Sequence, residues 1–292
     1  MSPAAARLAV VSRQVRIASV NVNGIRAAVR NGMLEWLETA EVDIMALQEV
    51  RATADELASA LPGWELVGDE ALAKGRAGVA VASRLPSVEV RKVLGPEPLD
   101  SAGRWIEADF DIDGERVVIV SAYVHSGEVG TPKQDAKWAF LDAMEQRMPQ
   151  LQASAPLALI MGDLNVGHRE LDIRNWKGNV KRAGFLPRER AYFDRFLGEA
   201  GAPVTGADGS SGTGLGWVDV GRRFHGDIDG PYTWWSSRGK AFDNDTGWRI
   251  DYHLATPALA ERVAGYRVVR APSWDTRWSD HAPVVAEYTL GS

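Results

Sequence analysis

Val42-Asp43-Ile44-Met45-Ala46-Leu47-Gln48-Glu49 is a nearly continuous apolar run that closes on an amide and a carboxylate. A short run with so little alternation fits a strand buried on both faces. Open α/β sheets gather ligands at the carboxyl ends of such strands. The pattern recurs along the chain. Pro156-Leu157-Ala158-Leu159-Ile160 leads into Met161-Gly162-Asp163-Leu164-Asn165; Arg249-Ile250-Asp251-Tyr252 and Trp278-Ser279-Asp280-His281 each precede a short apolar run; Ser19-Val20-Asn21-Val22-Asn23-Gly24 follows the first strand. Together these positions offer oxygen and imidazole ligands, a set suited to a hard divalent cation and a phosphate ester.

Composition bounds this reading. The chain has 292 residues, 45% hydrophobic and 25% charged, ordinary for a globular protein with a substantial core. Cysteine is absent, which excludes disulfides, zinc-thiolate centres and a thiol nucleophile. The Leu8-Ala9-Val10-Val11 run between Arg7 and Arg13 is too short for a secretory segment or a membrane span. Residues 1–14 are expected to form a flexible extension, 15–292 a single domain, and the protein to be cytoplasmic. The formal charge of −6 does not exclude a nucleic-acid partner, because a phosphate-binding face can be locally basic on an acidic protein. Lys177, Lys181, Arg182, Arg188 and Arg190 form one basic cluster; it is either such a face or a solvated loop.

Strand and helix patterns alternate along the chain. Val15 to Val20 reads as a strand and Gly24 to Leu37 as one helix with apolar residues at helical spacing. Thr53-Ala54-Asp55-Glu56 is a capping box. Strand candidates follow at Trp64–Val67, Gly78–Ser83, Val88–Val93, Trp105–Ile112 and Arg116–Val124, the last two joined by the hairpin signal Asp113-Gly114. Thr131-Pro132-Lys133-Gln134 opens a long helix, with Gln134 expected to close a capping box. A strand at Leu157–Met161, a helix at Arg188–Glu199, an exposed loop at Ala200–Gly216, and strands at Tyr232–Trp235, Ile250–Ala255, Tyr266–Arg270 and Val284–Tyr288 complete the series. Hairpins mixed with helices argue against an all-parallel sheet and for two packed sheets flanked by helices.

Taken in order, Ser19 to Arg26, Leu47-Gln48-Glu49, Ala122-Tyr123, Gly162-Asp163-Leu164-Asn165, Asp172-Ile173-Arg174-Asn175-Trp176-Lys177-Gly178-Asn179, Ala183-Gly184-Phe185, Trp248-Arg249-Ile250-Asp251-Tyr252 and Ser279-Asp280-His281 resemble the exonuclease III family of apurinic/apyrimidinic endonucleases, within the endonuclease/exonuclease/phosphatase superfamily. The resemblance implies a DNase I-like, four-layered α/β sandwich. Glu49, Asp163, Asn165, Asp251, Asp280 and His281 resemble the core shared across the superfamily; Arg174 to Asn179 and Tyr232-Thr233-Trp234-Trp235 ahead of Trp248 resemble the DNA-acting branch.

The resemblance also implies roles. Glu49 is the first choice of Mg²⁺ ligand, with Mn²⁺ as a substitute, assisted by Asp280 and with Asn23 nearby; Asn21, Asp163, Asn165 and His281 are further potential ligands. Asp163 is expected to deprotonate the attacking water, with Asn21 and Asn165 placing it. His281, held by Asp251, would donate to a non-bridging phosphate oxygen. Tyr123 would add a hydrogen bond or deliver a proton to the leaving side. Trp234 and Trp248 either wall a pocket for a baseless deoxyribose or pack in the core. Arg238 would wedge into the duplex or bind phosphate, while Arg174, Lys177, Asn179, Lys181 and Arg182 would contact the backbone without reading sequence. Val124-His125-Ser126-Gly127 departs from the family pattern, and His125 is expected to be exposed; Arg182 departs too.

The expected substrate is duplex DNA carrying abasic sites or blocked 3′ ends, acted on by a monomer with no membrane partner. Rival readings are a phosphoesterase acting on a lipid headgroup or inositol phosphate, and a silent DNA-binding scaffold. The first needs a membrane-facing loop or headgroup pocket, neither of which is evident. The second would be expected to have lost Asp163, His281 or Glu49.

Overall fold

The computed structural model describes residues 12–73, 75–92, 94–95, 99 and 103–291. The chain begins with β1 (Arg13–Asn21), α1 (Ile25–Arg30), α2 (Met33–Ala40), β2 (Ile44–Gln48), α3 (Ala54–Ala60), β3 (Glu65–Asp69), β4 (Val79–Ser83) and β5 (Glu89–Arg91). The hairpin β6 (Trp105–Ile112) and β7 (Glu115–Tyr123) leads to the long α4 (Pro132–Ser154), β8 (Ala158–Asp163) and α5 (Pro187–Leu197). Then come β9 (Pro203–Thr205), β10 (Ser211–Thr213), β11 (Val218–Asp219), α6 (Val220–His225), β12 (Asp251–Ala255), α7 (Pro257–Ala260), β13 (Val263–Val268) and β14 (Val284–Leu290).

Twelve of these strands form two six-stranded mixed sheets, ordered β13-β14-β1-β2-β4-β3 and β11-β12-β8-β7-β6-β5. Alternation along each strand decides the layering. In β1, Val15 and Ile17 face the second sheet, where they share a core with Ile106, Phe110, Ile119 and Met161. Ala18 and Val20 point the other way, onto Ile25, Met33 and Leu37 of α1 and α2. In β8, Leu159 and Met161 join the central layer, while Ala158 and Ile160 meet Phe140, Met144 and Phe193 of α4 and α5. Helix, sheet, sheet, helix is the four-layered sandwich expected from the sequence. Burial on both faces explains why β2 and β8 read as apolar runs rather than alternating ones.

Several boundaries differ. The extension expected over 1–14 ends too late: Arg13 and Gln14 pair with Leu290 and Thr289 in the first sheet, and residues 1–11 lie outside the described set. Polar side chains hid a strand that backbone pairing extends. Gly24–Leu37 is two helices, because the chain turns at Asn31-Gly32 with Gly32 at φ 108°. The expected loop Ala200–Gly216 contains the antiparallel pair β9–β10, too short and exposed to carry a hydropathy signal. Tyr232–Trp235 is not a strand; Trp234 makes isolated bridges to Trp248 and His281. Thr53 and Glu56 do form their capping box, but Gln134 donates to Glu189 rather than back to its own helix start, so only Thr131 caps α4. The strand expected over Val88–Val93 is β5, and Val93 lies outside the described residues. Among the described residues no helix is long and apolar enough to cross a membrane.

Candidate active site

Register brings the site together. Tyr123 closes β7 opposite Asp163 at the end of parallel β8, and Asp251 opens antiparallel β12 opposite the same residue. Asn21 closes β1 in register with Gln48, and Glu49 follows at once. Asn21 donates through Nδ2 to Glu49 Oε1 and to Asp163 Oδ2, both at 2.9 Å, so one amide joins the two sheets. Ser279 Oγ donates to the Asn21 carbonyl at 2.7 Å, anchoring the segment that carries Asp280 and His281.

His281 Nδ1 lies 2.9 Å from Asp251 Oδ2, and its Nε2 lies 3.7 Å from Asp163 Oδ2. All three groups are buried. Burial alone would lower the imidazole, but the Asp251 and Asp163 carboxylates outweigh it and push its pKa up to about 10. Burial, reinforced by the Asp251 and Glu49 charges, raises the Asp163 carboxyl against the pull of His281. Asp163 is thus a carboxylate with an increased appetite for a proton, beside an imidazole that keeps one. Burial, then the Glu49 and Asp163 charges, raises Tyr123, so its phenol stays protonated and keeps a hydrogen to donate.

These residues face a cavity of about 410 Å³ whose lining includes Glu49, Tyr123, Asp163, Asn165, Trp234, Trp248, Asp280 and His281. Trp234 and Trp248 meet edge to face with centroids 6.1 Å apart, half-buried, so both serve as pocket walls as well as packing. Gly184 makes that wall possible: a Cβ there would press to 2.7 Å from the Trp248 ring. Trp234 Nε1 donates to Asp280 Oδ2 at 3.0 Å, and Asn23 Nδ2 to Asp280 Oδ1 at 2.8 Å. Asn165 spends its amide donor on the Val124 carbonyl at 2.9 Å, while its backbone N–H donates to Asp163 Oδ1 at 3.0 Å.

Ligand atoms of Glu49, Asp163 and His281 lie within 4.8 Å of one another, a group of the size that can hold a metal ion. Oxygen and imidazole donors suit a hard divalent cation. The Arg51 guanidinium pairs with Glu49 Oε2, so a positive charge already stands at that carboxylate. Of the residues expected around a cation, Glu49 has this company, whereas Asp280 lines the same cavity and accepts from Asn23, which lies outside its lining.

Of the expected DNA-contacting residues, Trp234 and Trp248 line the cavity, while Arg174, Lys177, Asn179 and Arg182 fall on a separate ridge. Asp172 is buried under Arg249 and Arg222; Arg249 reaches Asp172 Oδ1 at 2.7 Å and Asp219 Oδ2 at 2.7 Å. Burial would raise Asp172, and Arg249 and Arg222 overcome it, holding the carboxyl at about 2. From this anchor the loop turns outward and presents a shallow depression lined by Arg174, Trp176, Lys177, Asn179 and Arg182. Lys181 is exposed beside it, and Arg238 is exposed on another loop, outside the lining of the catalytic cavity. Arg174 also pairs with Asp229 at 3.4 Å.

Arg104 and Arg51 are given no role by the sequence, and Ser126 and Gly127 enter it only as part of a departing segment. Arg104 stacks over the Tyr123 ring at 4.5 Å and donates to its carbonyl at 3.2 Å. Arg51 pairs with Glu49 at the edge of the same cavity. Ser126 and Gly127 line the cavity. Only Arg51 had a local signal, its position two residues past Glu49. His125 is a correction: it is half-buried edge-on to Phe140, and burial, then Arg104 and Lys137, lowers it to about 3, so it is neither exposed nor charged.

A carboxylate able to take a proton from water, an imidazolium able to meet an oxyanion, and a neighbouring cation-binding carboxylate are the parts of a phosphoester hydrolase. Comparison with known proteins agrees. The model of the endonuclease/exonuclease/phosphatase family matches residues 18–281. An exodeoxyribonuclease of Bacillus subtilis is 32% identical over 271 residues, spanning 92% of this chain and 98% of its own. An AP endonuclease structure from Archaeoglobus fulgidus aligns at TM-score 0.76 and 28% identity, over 94% of this chain and all of the other. A 3′ phosphatase from Neisseria, bound to a product DNA hairpin, aligns at TM-score 0.78 and 28% identity with the same coverage. The chain belongs to the endonuclease/exonuclease/phosphatase family, in its exonuclease III branch.

Proposed function

We propose that this protein is a Mg²⁺-dependent DNA-repair nuclease that hydrolyses the phosphodiester 5′ to an abasic site in duplex DNA and leaves a 3′-hydroxyl. On this reading it also trims 3′ ends as a 3′→5′ exonuclease and as a 3′-phosphatase or phosphodiesterase, and works as a cytoplasmic monomer. The observation that carries it is the Asp251–His281–Asp163 chain, joined through Asn21 to Glu49 and opening on a cavity walled by Trp234 and Trp248.

Asp163 takes the proton of the attacking water, with Asn21 fixing its carboxylate and the Asn165 backbone amide holding its other oxygen. The His281 imidazolium, oriented by Asp251, donates to a non-bridging phosphate oxygen as charge builds there. The Tyr123 hydroxyl donates on the leaving side. Glu49, with Asp280 on the same cavity and Asn23 bonded to it, would hold the cation, whose charge would offset that developing on the phosphate and the departing 3′ oxygen; Mn²⁺ would serve in place of Mg²⁺. Trp234 and Trp248 accept an extruded deoxyribose that lacks its base, the cheapest nucleotide to unstack. Arg174, Lys177, Asn179, Lys181 and Arg182 grip backbone phosphates, and Arg238 meets the duplex from the opposite loop.

The test is incision of an end-labelled duplex with one central tetrahydrofuran, with Mg²⁺ and with EDTA, beside an undamaged duplex. A Mg²⁺-dependent single cut on the 5′ side is expected. Degradation only from undamaged 3′ ends would remove the abasic pocket and keep the nuclease; no action on either duplex would reject the reading.

A further inference from the structure

Lys137 of α4 is fully buried, an uncommon place for an ammonium group. Its Nζ lies 2.8 Å from Glu189 Oε1, 2.8 Å from the Asn165 carbonyl and 3.3 Å from the Ser126 carbonyl. An ammonium has three donors, and these three acceptors use all of them, so nothing remains for a substrate. The acceptors belong to different walls of the catalytic cavity. Ser126 lies in the loop after β7, and Asn165 in the loop after β8. Glu189 accepts from the Leu186 N–H through Oε2 at 2.9 Å, which fixes the start of α5 directly behind the wall residues Ala183 and Gly184.

The backbone is compatible with loops that close in on this point. Asn165 sits at φ 50°, a left-handed conformation that asparagine adopts more readily than other residues with a side chain. Gly127 has φ 75°, and a Cβ there would lie 2.5 Å from Gln134 Oε1 and 3.0 Å from Lys137 Cδ; the absence of a side chain lets the loop close on this face of α4. A hydrophobic residue in place of Lys137 would fill the volume, but would leave two carbonyls buried without that donor and the Glu189 carboxylate, still bonded by Gln134 and the Leu186 N–H, buried without a counter-charge.

We propose that Lys137 is a positioning residue for phosphoester cleavage: its buried ammonium holds the Ser126, Asn165 and Ala183–Gly184 walls of the cavity at one spacing, and so sets the aim of Asp163 at the substrate. This rests on the nuclease reading above. Asn165 transmits the effect, because the residue whose carbonyl Lys137 binds also donates its N–H to Asp163 Oδ1.

The decisive comparison is Glu189→Gln against Lys137→Met/Glu189→Gln, both without the lone buried carboxylate that Lys137→Met alone would create. E189Q retains the ammonium and its two carbonyl bonds and keeps an amide oxygen to accept the third, so the Ser126 and Asn165 walls stay tied, and kcat on the incision substrate is expected to stay within about threefold. The double variant is expected to lose kcat by about tenfold or more while KM stays within about threefold, since a small misplacement in a catalytic site has this effect. A double variant as active as E189Q would overturn the proposal, as would a loss confined to KM. Should the double variant not fold, Lys137→Gln in the E189Q background is read by the same criteria. Amide hydrogen exchange is measured on the same proteins: residues 124–127, 165–167 and 183–186 should exchange faster in the double variant than in E189Q. Unchanged exchange overturns the proposal even if the wild-type protein cuts no DNA, an outcome that by itself rejects only the nuclease reading.

Discussion

The catalytic crevice and the loop from Asp172 to Arg182 lie on the same molecule but are built by opposite rules. In the crevice, charged side chains are buried at strand ends, where neighbouring strands fix their register and low exposure moves their pKa values. On the loop, Arg174, Lys177 and Arg182 are exposed, and order comes from one buried carboxylate beneath them. Chemistry demands ångström placement and a dry environment; gripping a polyanion demands accessible charge and tolerates movement. Mutations should therefore separate turnover from binding.

The largest effect is expected for Asp163→Asn. The amide keeps the shape but cannot take a proton, so single-turnover incision should fall on the order of 10³-fold while affinity for the abasic duplex is kept. Near-normal turnover would sink the choice of base. Asp172→Asn attacks the other region from below. It leaves the buried Arg249 short of a counter-charge and should cost about 3–5 kcal/mol in denaturant unfolding. The sign of the pH dependence follows from the depressed carboxyl. Its contribution is present above the ordinary aspartate value of 3.8 and is lost as pH falls through about 2, so the wild-type protein should lose stability across that window and D172N should not show the same loss. If both proteins lose it equally, the carboxyl is not held where the structure places it.

Asp251→Asn sharpens the crevice side. In the proposed mechanism His281 works as an imidazolium, so activity should fall as pH rises through its pKa, about 10 beside Asp251. Without that carboxylate the pKa drops and the alkaline limb of kcat/KM should move to lower pH, with a rate loss of about 10²-fold at neutral pH. An unmoved limb would assign it to another group. The smallest effect is expected on the ridge: Lys177→Ala should weaken duplex binding to a similar degree for every sequence and reduce the slope of log K against log salt by about 1, leaving kcat unchanged. A sequence-dependent loss would mean that the loop reads bases.

The two regions were also unequally legible in the sequence. Strand-end carboxylates announce themselves because a doubly buried strand is an apolar run, and a polar residue at its end interrupts the pattern; Glu49, Asp163 and Asp251 were found in this way. The resemblance supplied the order of the motifs. Arg104 and Lys137 gave no such signal. Arg104 precedes an ordinary strand start, and Lys137 falls among the polar positions of a long helix, where a lysine normally faces solvent. Its burial comes from a tertiary contact between α4, α5 and two loops that periodicity cannot see. The same holds for the start of β1, where backbone pairing with β14 continues past the apolar residues. The ridge was legible as a cluster of charge, but which of its members share a surface, and that Arg238 stands apart, required the fold.

Strand β1 is central to the first sheet, with β14 on one side and β2 on the other, and the Asn21 carbonyl at its end is anchored by Ser279 near the other end of the chain. A nascent chain that has emerged from the ribosome only as far as Arg277 has its first sheet open at β1, lacks Asp280 and His281, and leaves Asn21 without its tether. The crevice thus draws on residues far apart in sequence: a fragment cut before Ser279 keeps Glu49 and Asp163 but lacks the imidazole beside Asp163 and the tether on Asn21.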